Sequence, residues 1–98
     1  MTDITFGDRK LVHELRDRTV VCEIYEKEVQ REGMVRLYHD VSFYRSYEQN
    51  GVARREPYIQ QRDFDRLHIL ISNASIWIKR RIYKLNRDAY EDETDSAE

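Results

Sequence analysis

Two periodicities divide the chain. From Leu11 onward apolar and polar positions alternate as half-buried strands require, and from Asp63 the spacing lengthens to that of a helix. Residues 11–15 and 19–29 read as strands joined by Arg16-Asp17-Arg18. The clearest strand covers residues 34–47. Val35, Leu37, His39, Val41 and Phe43 share one face, and Arg36, Tyr38, Asp40, Ser42, Tyr44 and Ser46 share the other. Residues 30–33, ending in Gly33, form the turn before it. Asn50-Gly51 after it is a strong hairpin signal, because both central residues of a two-residue turn take positive φ. Residues 52–61 are therefore expected to return antiparallel. Pro57 has no amide hydrogen to donate, which makes that strand an edge or a bulged one.

At 100° per residue, Phe64, Leu67, Leu70, Ile71, Ala74, Trp77, Ile78, Ile82 and Leu85 form one broad stripe that should lie on the sheet. Asp63 is placed to cap the helix start by accepting its free amides. A second ridge, Ile69, Ile76 and Tyr83, recurs every seven residues on another side. Either a helix of a second subunit or the N-terminal segment would cover it, and a homodimer through the helix is the expectation. Lys79, Arg80, Arg81 and Lys84 fall in the expected last turns, where cations favour a helix C-terminus.

The fold class that follows is α+β: a four-stranded antiparallel sheet, then one long C-terminal helix. At 98 residues the chain is one small domain, and its 40% hydrophobic content supports one modest core. A 37% charged fraction and a mean hydropathy of −0.86 make the surface very polar. No 18-residue apolar run is present to span a membrane, and the N-terminus lacks the basic-then-apolar pattern of a signal peptide. The single cysteine, Cys22, has no partner for an internal disulfide and shares its parity with Val20 and Ile24, so a buried inert thiol is expected. An intracellular setting follows, in cytoplasm or nucleoid, or in a host cell if the protein is viral.

The net charge of −2 argues at first against a nucleic-acid partner. Residues 91–98 alter that, since they carry five acids and no base. Residues 1–90 hold 17 basic against 14 acidic residues, and residues 31–87 hold 12 against 6. Thirteen of the basic residues are Arg, whose planar fork grips phosphate and stacks on aromatic rings. Residues 1–90 thus read as a binding domain and residues 91–98 as an acidic disordered tail. Such a tail either only solubilises the protein, or competes for the basic face or recruits a protein partner.

Candidate chemistry is sparse. His13, His39 and His68 match no metal spacing, and His39 reads as a hydrogen-bonded core or sheet-end residue rather than a ligand. No nucleophile elbow, phosphate-binding glycine loop or paired-cysteine motif occurs, so the expectation is no enzyme, no cofactor and no metal. Instead, one sheet face interleaves aromatic and basic residues: Tyr25 and Lys27, then Arg36, Tyr38 and Tyr44, then Arg54 and Tyr58 with Gln60. Rings stack on unpaired bases and cations follow phosphates, which is what single-stranded nucleic acid requires. Glu23, Asp40 and Glu56 oppose this on the same face, and Tyr–Arg pairing across strands is the ordinary structural use of such residues.

Arg18-Thr19-Val20-Val21-Cys22-Glu23-Ile24, Asp40-Val41-Ser42-Phe43-Tyr44, Asn50-Gly51, Arg54-Arg55, and Ile59 before Arg62-Asp63-Phe64-Asp65-Arg66-Leu67 come in an order that resembles a known family. It is that of the single-stranded-DNA-binding transcriptional coactivators called positive cofactor four. The arrangement is also similar to the bacterial PUR domain. The resemblance covers roughly residues 10–85 and implies a homodimer with packed helices and outward sheets that hold single strands. It also implies a binding role for Arg54 and Arg55, and packing or stacking for Phe64. Pro57, the length of strand 34–47 and the Arg-rich basic set depart from the family, as does the lack of its N-terminal Ser/Lys-rich tail.

Non-catalytic, largely sequence-independent binding of single-stranded DNA or RNA is the resulting expectation, in support of transcription, replication or recombination and with no membrane partner. The alternative is a small protein–protein interaction module, such as a phage or plasmid factor that binds a host protein.

Overall fold

A computed structural model describes residues 4–6 and 8–96, with side-chain detail for 8–87. Its strands are β1 (Ile4–Phe6), β2 (Lys10–Asp17), β3 (Val20–Arg31), β4 (Met34–Gln49) and β5 (Val52–Glu56). A 3₁₀ turn (Gln61–Asp63) leads into α1 (Phe64–Ser96). All pairing is antiparallel. β1 and β2 share one edge of β3, β4 lies on its other edge, and β5 pairs with the far end of β4. The expected α+β architecture of a four-stranded antiparallel sheet with a C-terminal helix is present, with a first strand broken in two.

The turns set the registers. Arg18, Glu32 and Asn50 have φ of 56°, 54° and 53°, followed by φ of 78° at Gly33 and 77° at Gly51. The two-residue turns at 32–33 and 50–51 place Arg31 opposite Met34 and Gln49 opposite Val52. β5 is shorter than the expected strand 52–61. It ends at Glu56 because Pro57 offers the ladder no donor.

On one face, Val20, Cys22 and Ile24 of β3 are fully buried beneath Leu70 and Ala74 of α1. Val12, Leu15, Phe43, Ile59, Leu67, Trp77 and Ile78 complete this core. The thiol of Cys22 is pushed up to about 11, first by burial and then by the charge of Glu23, as an inert core cysteine should be.

Polar contacts aim the helix along β3. Asp63 is almost wholly buried, and its carboxylate meets Arg66 at 3.1 Å and Arg45 at 3.3 Å. Asp63 stands immediately before α1, the position expected of its N-cap. Its carboxylate joins two guanidinium groups, and the 3₁₀ turn opens at Gln60, which has no side-chain cap bond. Farther along, Arg81 grips Glu26 of β3 through Nε at 3.0 Å and Nη2 at 3.2 Å. Glu26 also bonds Nε2 of the buried His39 at 3.0 Å, which bears out the hydrogen-bonded reading of that histidine. Trp77 stacks on His13 with centroids 4.9 Å apart and meets His39 edge-on at 6.4 Å.

Two further expectations change. Lys79, Arg80, Arg81 and Lys84 lie mid-helix, because α1 runs on to Ser96 and no basic residue occupies its last turn. Residues 91–96 of the expected disordered tail are helical, with no Gly or Pro to stop them. Residues 97–98 lie outside the described residues.

Candidate nucleic-acid interface

α1 covers only one face of the sheet, and no described helix lies on the other. Strand parity and register give that open face Glu14, Arg16, Val21, Glu23, Tyr25, Lys27, Val29, Arg36, Tyr38, Asp40, Ser42, Tyr44, Ser46, Glu48 and Arg55. Val21 at 0% exposed and Glu23 at 7% are buried there without a second layer. Long neighbouring side chains close over them, as Arg16 and Tyr44 flank Val21 in register.

Glu23 organises the face. Its Oε1 accepts from Tyr25 Oη at 3.1 Å and from Arg55 Nη2 at 2.9 Å. Arg55 lies over the Tyr44 ring, 3.7 Å from its centroid. Arg9 lies over the Tyr25 ring at 3.6 Å and donates through Nε to Asp40 at 3.1 Å. Each guanidinium is thus held in place by a carboxylate while it covers a tyrosine. Burial, then the Glu23 carboxylate, pushes the pKa of Tyr25 and Tyr44 above the usual phenol value, so both rings stay neutral.

These stacks revise the expected roles. Tyr25 and Tyr44 each carry a guanidinium on one ring face, so the exposed stacking planes there are Arg9 and Arg55. Tyr38 is 56% exposed and sits opposite Lys27 in register. Arg36 sits opposite Val29. With Arg31, Glu32 and Met34, Val29, Arg36 and Tyr38 line a hollow of about 250 Å³ at the β3–β4 hairpin end.

Arg54 does not join this face. It pairs with Tyr47, on the side occupied by Arg45 and Glu56, while Arg55 pairs with Ser46 on the open side. The two-residue turn at 50–51 dictates that parity, which counting along the fourth strand alone missed. Tyr58 is exposed in the segment after β5 rather than on a paired strand. Arg9 was not anticipated, because it precedes β2 and reaches Tyr25 only through tertiary contact.

On the helix, Ile69, Ile76 and Tyr83 are 53%, 47% and 68% exposed, pointing away from the sheet. Phe64, Ile71 and Ile82, expected within the sheet-facing stripe, are also exposed, so the packed stripe is narrower than the sequence suggests. Among the described residues no three His, Cys, Asp or Glu side chains gather into a metal site, and no helix is long and apolar enough to cross a membrane. No protein-family model matches the chain, and neither a curated protein nor a solved structure matches it.

Proposed function

We propose that the open sheet face binds single-stranded nucleic acid without catalysis and without strong sequence readout. The observation that carries the proposal is the pair of pinned stacks, Arg9 on Tyr25 and Arg55 on Tyr44. A guanidinium plane fixed over a ring offers both a stacking surface for an unpaired base and a charge for the adjoining phosphate. Holding each Arg through a carboxylate lowers the side-chain entropy lost when a strand docks. Tyr38, Arg36 and the hollow at the hairpin end extend the same surface by one more exposed ring and one more cation.

Glu14, Glu23, Asp40 and Glu48 reduce the positive charge of the face, so stacking contributes a large share of the affinity and duplex DNA is a poor ligand. Fluorescence anisotropy with a labelled single-stranded oligonucleotide, at low and high salt, tests the reading. Roughly micromolar binding that weakens with salt, and weakens further on joint replacement of Tyr38 and Arg55 by Ala, supports it. No binding at low salt sinks it.

A further inference from the structure

β4 is sixteen residues long, yet β5 pairs only with Arg45–Gln49. On that same edge, residues 34–44 pair with no described strand. Apart from the charges of Arg36 and Asp40, this edge carries none of the usual protections among the described residues. It has no proline, no bulge and no covering helix, and it exposes Met34, Val35, Tyr38 and Val41. Beside it, between β4 and α1, an apolar groove of about 290 Å³ is lined by Val41, Phe43, Ile71, Ala74 and Ile78, with Lys79 at its rim. Unpaired backbone groups and apolar surface therefore lie side by side.

We propose that this edge is occupied by the same edge of a second copy of the chain, in antiparallel pairing about a two-fold axis at Tyr38. Charge chooses both the occupant and the register. About Tyr38, Arg36 of each copy faces Asp40 of the other, so the symmetric contact contains two opposite-charge pairs. On the helix side of the sheet, Val35 of each copy then meets Val41 of the other, at the mouth of the groove. Pairing about Asp40 would set the two aspartates against each other, and pairing about His39 or Val41 leaves Arg36 opposite serine. The register about Tyr38 pairs Met34 to Ser42 of one copy with the same residues of the other. The Asp40 side chain remains 65% exposed while it holds Arg9 of its own chain. The dimer contact is thus the sheet edge and its groove, and the ridge of Ile69, Ile76 and Tyr83 stays in solvent. The two open faces join into one continuous sheet surface.

Sedimentation of the full chain, with Arg36→Asp, Asp40→Arg and the double exchange, tests the proposal. The wild type should sediment as a dimer of 12.0 kDa chains. Each single variant brings like charges together twice and should weaken the dimer about tenfold, and the double exchange should restore it. Far-UV circular dichroism confirms that each variant is folded, which is expected because both side chains are exposed. A wild-type monomer at high concentration overturns the proposal, as would be the case if the edge served a different protein. So do single variants that dimerise as the wild type does, or a dimer dissolved by Ile76→Glu but not by Asp40→Arg.

Discussion

Arg55 lies over the ring of Tyr44, 3.7 Å from its centroid, while Glu23 anchors its guanidinium at 2.9 Å. Arg55 is 62% exposed at its side chain, so the pair is held from beneath and presented to solvent. A double-mutant cycle with Arg55→Ala and Tyr44→Leu should give a coupling energy of about 0.5–1 kcal/mol in urea unfolding. A coupling of zero would mean that the stack is not populated in solution.

The two neighbouring arginines should behave differently. Arg55→Ala is expected to weaken oligonucleotide binding and to reduce the salt dependence by about one phosphate contact. Arg54→Ala, on the helix side of β5, should leave both quantities near wild type. Equal losses in the two variants would show that the open face does not define the interface.

Asp63→Ala should lower stability by about 3 kcal/mol, measured by denaturant unfolding. Arg45, itself 7% exposed, loses one of its two carboxylate partners and keeps Glu56 at 3.0 Å, and Arg66 loses its carboxylate. A loss of only about 1 kcal/mol is what a simple capping residue would give.

Acid should loosen the docking of helix on sheet. Hydrogen bonding from Arg81, aided by His39 and opposed by burial, holds the carboxyl of Glu26 below its ordinary 4.5. The folded value is depressed, so the stabilisation is complete above the unfolded value and is lost as pH falls through the folded one. Stability measured between about pH 6 and pH 3 should therefore decline below about 4.5, and Glu26→Gln should flatten that decline. An unchanged slope in the variant would remove Glu26 as its source.

Cys22 should resist labelling. With the thiol pushed up to about 11 and fully buried, a thiol reagent at about pH 8 should react only after unfolding. Rapid stoichiometric labelling of the native protein would contradict the core packing of β3.

The local chemistry of the chain determined the sheet-then-helix order on its own. Asn50-Gly51 and the turn ending in Gly33 marked hairpins because their backbone needs positive φ, and the odd and even positions of β4 sorted correctly because strand side chains alternate. Even the face of Arg55 was implicit there, since a two-residue turn sets Gln49 against Val52 and so Arg55 against Ser46. Other features depend on contacts between distant residues, where periodicity carries no information. Glu23 pairs with Arg55 across 32 positions, Arg9 with Asp40 across 31, and Arg81 with Glu26 across 55. Those partners turned an acid that seemed to oppose binding into the anchor of the open face, and a mid-helix cation into the helix dock. Asp63, buried at the head of the helix, likewise meets Arg45 of β4, a partner that periodicity could not name. The sequence by itself decided which elements form and which way their side chains alternate; tertiary packing decided which charges are spent on one another and which remain at the surface.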